Sequence, residues 1–399
     1  MKKLAIISSH PIQYNAPLFR LLAESKTVHL RVFYTWEQSG KGAKYDPGFG
    51  KTIEWDIPLL EGYEFEFVTN TSEDPGTHHF KGMINPGLNK AIEAWQPDLL
   101  LVYGWSWDSH LKAMRHFHGR IPVLFRGDST LLNEKPGLRK ILRRIFLTWV
   151  YRHVDYALYV GANNKDYFLR HGLKPRQLIH APHAVDNRRF SASDAERREE
   201  ANNWKRSLGI KPGELVVLFA GKLEAYKDPA FVVGLAERWK ELPVRVILVG
   251  NGQLEQELKQ RAKATPGIIF LDFQNQSRMP IVYRLADLFI LSSHSQTLGQ
   301  GMSSQTETWG LGANEAMACG CGLMLCTGVG GAVDLVKEGL NGIIFPVGGT
   351  EKCTKFVKEL LEEPGKLEKI KAASRQRVEE EFSFERIVRS IEELCNRIS

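Results

Sequence analysis

An α/β architecture of two doubly wound domains, each a parallel sheet with helices on both faces, is the fold class that this 399-residue sequence predicts. Three observations lead there. Short β-branched or leucine-rich runs alternate with helical periodicity from one end to the other, as parallel sheets with crossover helices do. The length exceeds what one hydrophobic core usually serves. A polar, charge-dense stretch from Ser191 to Asn203, followed by the turn Gly209-Ile210-Lys211-Pro212-Gly213, separates two sets of strand-like runs.

The runs in the first half are Leu4–Ser8, Leu30–Tyr34, Leu99–Tyr103, Val123–Arg126 and Tyr156–Val160. Those in the second are Leu215–Gly221, Val244–Gly250, Ile268–Leu271, Leu288–Ser292, Leu323–Thr327 and Ile343–Phe345. A linker near 187–200 gives domains over 1–190 and 191–382, and a terminal segment over 383–399. That segment is the second of two closing helices, Leu367–Glu381 and Phe384–Ile398, with Ser383 as a candidate N-cap. Ligands are expected at the carboxyl ends of the strands and in the cleft between the domains.

Charge is unevenly spread. Residues 1–190 hold 26 Lys+Arg against 18 Asp+Glu, or +8, which leaves 27 against 28, or −1, for the rest of the chain. No apolar run reaches the roughly 18 residues of a membrane span, and Leu4–Ser8 is too short for a signal sequence, so a cytoplasmic protein is expected. The cysteines Cys319, Cys321, Cys326, Cys353 and Cys395 are odd in number, in a chain that needs no staples, and read as buried reduced thiols.

The densest constellation runs from Ser304-Gln305-Thr306-Glu307 through Trp309-Gly310-Leu311-Gly312 to Glu315 and Gly320. Its two glutamates are eight residues apart, which on one helix leaves them about 80° apart, so they do not stack on a single face. Glu307 is therefore placed in the loop before a helix and Glu315 in its first turns. The N-terminus between them, with glycines that admit close approach, suits a phosphate. The flanking carboxylates suit vicinal hydroxyls of a sugar and a ribose. The plainer reading is Glu315 as a helix-dipole residue and Glu307 as a surface residue. Other strand ends converge on the same edge: Gly221-Lys222-Leu223 with Lys227, Gly250-Asn251-Gly252, and Gly330-Gly331. The lysines can neutralise a diphosphate. Each turn taken singly is ordinary loop chemistry.

Together these motifs resemble the nucleotide-sugar-binding domain of family 4 retaining glycosyltransferases of the GT-B fold. The E-x7-E element is Glu307 and Glu315, the G-[RK]-L…K element is Gly221, Lys222, Leu223 and Lys227, and Pro182-His183-Ala184-Val185-Asp186…Phe190 is similar to the family's interdomain stretch. The resemblance covers about residues 180–395. It implies two Rossmann-like domains facing across a cleft and a final helix returning to the N-terminal domain. By the same resemblance Lys222 and Lys227 hold the donor diphosphate, Glu315 the ribose and Glu307 the transferred sugar, while backbone amides of Trp309, Gly310 and Leu311 meet phosphate or sugar. Gly250, Asn251 and Phe273 join the donor-binding set, with backbone near Phe273-Gln274-Asn275 expected at the base. No metal and no other cofactor is expected, and no two aspartates lie two apart to form a DxD metal motif.

The first half departs from the family's usual glycine-rich opening. It has Ser8-Ser9-His10-Pro11-Ile12-Gln13-Tyr14…Pro17-Leu18-Phe19-Arg20, which resembles a subgroup with an HPIQY start. His10 is a candidate catalytic-side group or a locally bonded turn histidine. Where many members carry a histidine after the fourth strand, this chain has Arg126-Gly127-Asp128, so Asp128 is a candidate for orienting a hydroxyl or a turn cap. Trp105, with Tyr103 and Trp107, and Arg126 are candidates for the acceptor side; core packing is the alternative for the aromatic group. His78-His79, His116 and His118 read as surface or packing histidines rather than metal ligands.

The basic excess concentrates near residues 135–152. Leu138, Ile141, Leu142, Ile145, Phe146, Trp149 and Val150 recur at helical spacing, with Lys135, Arg139, Lys140, Arg143, Arg144 and Arg152 between them and no acid from 135 to 154. This basic amphipathic helix, 138–153, fits an anionic membrane surface, or a core helix with a solvated face. Nucleic acid is disfavoured, because no recognition signature accompanies the charge. The expected function is retaining transfer of a sugar from a UDP- or GDP-linked donor to a cell-surface glycan or lipid-linked acceptor at the inner face of the membrane. A nucleotide-sugar epimerase or hydrolase on the same fold, or a non-catalytic sugar-nucleotide or membrane-binding module, are the rival readings.

Overall fold

A computed structural model of the chain describes residues 1–37, 44–46, 51–132, 134, 136–294 and 306–398; Lys135, Ser304 and Gln305 lie outside the described residues. Two compact units emerge. The first comprises 1–43, 57–183 and 384–399, and the second 44–56 and 184–383.

The first unit is built on seven parallel strands: β1 (Lys2–Ser8), β2 (Val28–Tyr34), β5 (Glu64–Phe67), β6 (Leu99–Tyr103), β7 (Val123–Arg126), β8 (Tyr156–Tyr159) and β9 (Leu178–His180). Between β2 and β5 in the chain lie β3 (Lys44–Asp46) and β4 (Lys51–Ile53), an antiparallel pair. The seven are ordered β5-β2-β1-β6-β7-β8-β9, reversing direction of growth at β1, as doubly wound sheets do. Leu4, Ala5, Ile6 and Ile7 are fully buried, because the central strand has helices on both faces. Leu4 pairs in register with Leu30 on one side and Leu99 on the other.

The second unit holds β10 (Leu215–Ala220), β11 (Val244–Val249), β12 (Ile268–Leu271), β13 (Leu288–Leu291), β14 (Gly322–Cys326) and β15 (Gly342–Phe345). They are parallel and ordered β12-β11-β10-β13-β14-β15. All eleven runs read from the sequence are strands in the two sheets. The sequence reading lacked β5 and β9. The first is a four-residue edge strand with two glutamates, and the second has three half-buried residues, so neither shows an apolar run.

The units do not divide the chain at 190. Residues 184–190 group with the second unit, where Asp186 caps the Asn187–Ser191 helix by accepting from Arg189 N at 3.0 Å. Phe190 is fully buried with its ring 6.0 Å from that of Tyr283, and the Asn187 amide donates to the carbonyls of Val378 and Phe382. Residues 44–56 also belong to the second unit: Asn275 donates to Glu54 O at 2.6 Å and Ser277 N to Asp56. Nothing local in the sequence signals this long-range pairing.

The final helix, Phe384–Arg397, is part of the first unit. Ile387, Ile391 and Leu394 are buried, and Ser390 Oγ donates to His180 O at 2.8 Å. Among the described residues no helix is long and apolar enough to cross a membrane.

All five cysteines are buried free thiols. Burial pushes Cys321 and Cys353 up to about 12 and Cys395 up to about 11, and raises Cys319 and Cys326 as well. Since the thiolate is the nucleophile, the folded protein at pH 8 should react with a disulfide reagent at least about a hundredfold more slowly than the protein in guanidinium. A fast thiol in the folded protein would contradict this burial.

Candidate functional site

At the carboxyl edge of the second sheet, the loops after β10, β11, β13 and β14 meet. The chain leaves β10 through Gly221 and Lys222, makes one helical turn at Ala225–Lys227, and reverses at Asp228, whose backbone is left-handed (φ 48°). Asp228 then caps the Pro229–Arg238 helix by accepting from Phe231 N at 3.1 Å. This reversal is anchored by Ser292 Oγ, which donates to the carbonyls of Lys227 and Asp228, both at 2.8 Å.

The reversal turns Lys227 toward Glu307. The ammonium donates to Glu307 Oε2, and each side chain is only 16 % exposed. Burial alone would push the lysine down, but the charge of Glu307, helped by Tyr226, holds it above its ordinary value. Lys222 is half-buried beside the same loop.

Glu307 precedes the Leu311–Ala318 helix and Glu315 lies within it. Gly310 starts that helix at φ 97°, in the left-handed region, and a side chain there would stand 2.9 Å from Leu291 Cδ1. Gly330 clamps the loop: its N–H donates to Glu307 O at 2.8 Å, and a Cβ on it would lie 1.9 Å from Thr308 O. Gly331 N donates to Trp309 O. The Trp309 indole is buried and donates to Asn314 Oδ1 at 2.9 Å, so what Trp309 offers a ligand is backbone. Half-buried Leu311 opens the helix, whose first N–H groups have no intrahelical partner. Glu315 is 3 % exposed and accepts from the Tyr283 hydroxyl at 2.7 Å.

Gly250 and Gly252 pack one loop on the next. A Cβ on Gly250 would meet Gly221 O at 2.1 Å, and one on Gly252 would meet Leu223 O at 2.6 Å. Asn251 is a brace: its amide donates to Glu255 and Asp272, and its Oδ1 accepts from Phe273 N at 2.9 Å. It thereby sets the path of the Phe273 backbone. Sequence reasoning missed Tyr283 and the anchoring role of Ser292, neither of which carries a local signal.

The first unit's carboxyl edge carries a separate group. His10 follows β1, with Nδ1 3.0 Å from Ser9 Oγ and its ring 5.4 Å from that of Trp36. Arg126, an expected acceptor residue, is 5 % exposed, and its guanidinium donates to the carbonyls of Ala181 and Pro182. It holds the chain beyond β9 in place. Asp128 is instead accessible and lies 3.6 Å from Nε2 of His183, a histidine that burial pushes down and Asp128 pulls back. Trp105 sits edge-on to Phe146, ring centroids 5.5 Å apart.

His116 pairs with Glu93 at 2.7 Å, and His118 lies 3.9 Å from Asp155. His78 and His79 converge on Asp74, four and five residues earlier, at 3.1 and 3.4 Å, so a neighbouring carboxylate that the sequence reading passed over completes a three-residue group.

Comparison with known proteins bears chiefly on the second unit. Residues 200–377 match the family described as "Glycosyl transferases group 1". The matched stretch lies wholly within the second unit. The chain is 30 % identical over 227 residues to a D-inositol 3-phosphate glycosyltransferase of Rhodococcus erythropolis, covering 54 % of this chain and 47 % of that protein. It thus spans about half the length of the curated relatives it matches. Over the whole chain, the fold is that of Anabaena HepE, crystallised with UDP (TM-score 0.72, 19 % identity, all of both chains). Sucrose-phosphate synthase of Thermosynechococcus elongatus is similar too (TM-score 0.69, 18 % identity, 100 % and 99 % covered). The architecture is GT-B.

The buried pair makes a stability prediction. Lys227→Met leaves Glu307 without its cation and should cost about 3 kcal/mol, while Lys227→Met/Glu307→Gln should recover part of that loss. Because Lys227 is raised, the pair's contribution is complete below the ordinary lysine value of 10.5 and fades as pH climbs above it. Denaturant midpoints for the single and double variants across pH 7–11 measure both; a double variant no more stable than the single one refutes the coupling.

Proposed function

We propose that the chain transfers a sugar from a nucleoside-diphosphate donor, UDP- or GDP-linked, to a hydroxyl of a cell-surface glycan or lipid-linked acceptor, with retention of configuration. The observation that carries the reading is the Lys227–Glu307 pair standing beside the opening of the Leu311–Ala318 helix. Positive charge for a diphosphate and a carboxylate for sugar hydroxyls are thereby neighbours. The complex of HepE with UDP-glucose, a protein of the same fold, favours UDP as the first donor to try.

In this mechanism Lys222, Lys227 and the helix N-terminus bind the diphosphate and stabilise the charge that grows on it as the bond from the anomeric carbon to phosphate oxygen breaks. Glu315, steadied by Tyr283, accepts hydrogen bonds from the ribose hydroxyls. Glu307 accepts from hydroxyls of the moving sugar. The acceptor oxygen attacks from the face the diphosphate leaves, and its proton passes to the departing phosphate oxygen. His10, Asp128 and Trp105 are the candidates for holding the acceptor. Two lysines and a helix terminus supply the charge a metal would otherwise provide, so this reading requires no divalent ion.

A thermal-shift series with UDP-, GDP- and ADP-sugars should show one base raising the melting temperature in step with the logarithm of ligand excess. Lys227→Ala and Glu307→Ala should each lower turnover by about 10²–10³-fold, and EDTA should leave it unchanged. Turnover that survives both substitutions refutes the site. Release of free or epimerised sugar from donor alone, with no dependence on acceptor, would establish the hydrolase or epimerase instead.

A further inference from the structure

The helix Leu138–Tyr151 is oriented against the usual rule. At about 100° per residue, Leu138, Ile141, Leu142 and Ile145 share one side, opposite Leu147 and Tyr151. The side that faces the core is the latter: Leu147, Val150 and Tyr151 are buried. The aliphatic side faces outward, with Leu138 71 %, Ile141 58 %, Leu142 57 % and Ile145 63 % exposed, continued by Phe146 at 42 %. A surface helix of a globular domain normally buries such a stripe, and a contiguous exposed one marks an interaction site.

The charges sort in the same unusual way. Lys140 and Arg144 lie toward the core and share Glu134, at 3.1 and 2.9 Å, so their charge is partly offset within the protein. Arg139 and Arg143 remain exposed along the flank of the aliphatic stripe, with no acidic residue from 135 to 154 to offset them. Phe146 joins the stripe to Trp105 at the carboxyl edge of β6.

We propose that this face docks on an anionic lipid surface, with Leu138, Ile141, Leu142 and Ile145 entering the interfacial region and Arg139 and Arg143 pairing with lipid phosphates. An outward aliphatic row bordered by unneutralised cations matches a layer that is apolar below and negative above. A protein groove would have to be both apolar and acidic to match it equally. The proposal stands on the helix itself, whatever the second unit transfers. Its consequence for the acceptor side is that Trp105 lies at the margin of the membrane-facing patch, where a lipid-linked acceptor would arrive.

The test is co-sedimentation of the full chain with phosphatidylcholine vesicles containing phosphatidylglycerol, against pure phosphatidylcholine. The wild type should bind the anionic vesicles, more weakly at high salt, and leave the neutral ones. The quadruple variant Leu138→Ser/Ile141→Ser/Leu142→Ser/Ile145→Ser should lose at least about tenfold in partitioning, with its melting temperature unchanged or raised, since these side chains are exposed. Arg139→Glu/Arg143→Glu should lose a similar amount and the salt dependence with it. Wild-type protein that stays in solution, or binding that both variants retain, overturns the proposal. So does a wild-type dimer by light scattering that the quadruple variant dissolves, because the face would then be covered by a second copy.

Discussion

The second unit depends on backbone packing on backbone at one sheet edge. Gly250 lies against the Gly221 carbonyl and Gly330 against that of Thr308, at separations no side chain permits. These contacts hold four loops close enough for Lys227, which follows one strand, to meet Glu307, which follows another. The ion pair is therefore a product of loop packing, and both members are buried enough for their attraction to outweigh the cost of desolvating the ammonium. Remove the close approach and the charges separate into water, where they would do little.

Around that pair the polar groups divide between holding and offering. Ser292, Asn251, Trp309 and Asn314 spend their donors and acceptors on the protein itself, fixing loops and backbone directions. Glu315 is steadied by Tyr283, and Lys227 by Glu307. Preorganised groups of this kind are effective toward developing charge because little reorganisation remains for the moment of reaction. The first unit shows the same division: Arg126 is spent on two carbonyls, while Asp128 stays accessible beside His183.

Much of this was legible in the chain. Strands buried on both faces announce themselves as continuous apolar runs, so the central strands of both sheets could be read directly. The motif spacing placed Glu307 before the helix and Glu315 within it, because eight residues do not close on one helical face. Edge strands β5 and β9 escaped because their residues are partly exposed and carry no run. Arg126 read as a site residue and proves to be a brace, since a sequence does not show which carbonyls a guanidinium will find across the sheet.

The stretch at 138–151 marks the boundary between the two kinds of knowledge. The sequence by itself determined that a helix forms there, that it has an aliphatic stripe, and that it is rich in arginine. Local periodicity fixes those properties because they depend only on residues within a few turns. Which side meets the core was decided by tertiary structure alone, through the buried Leu147, Val150 and Tyr151 and the tie from Glu134 to Lys140 and Arg144. A helical pattern carries no information about where the rest of the molecule lies, and packing against the sheet turned the more hydrophobic stripe to the outside.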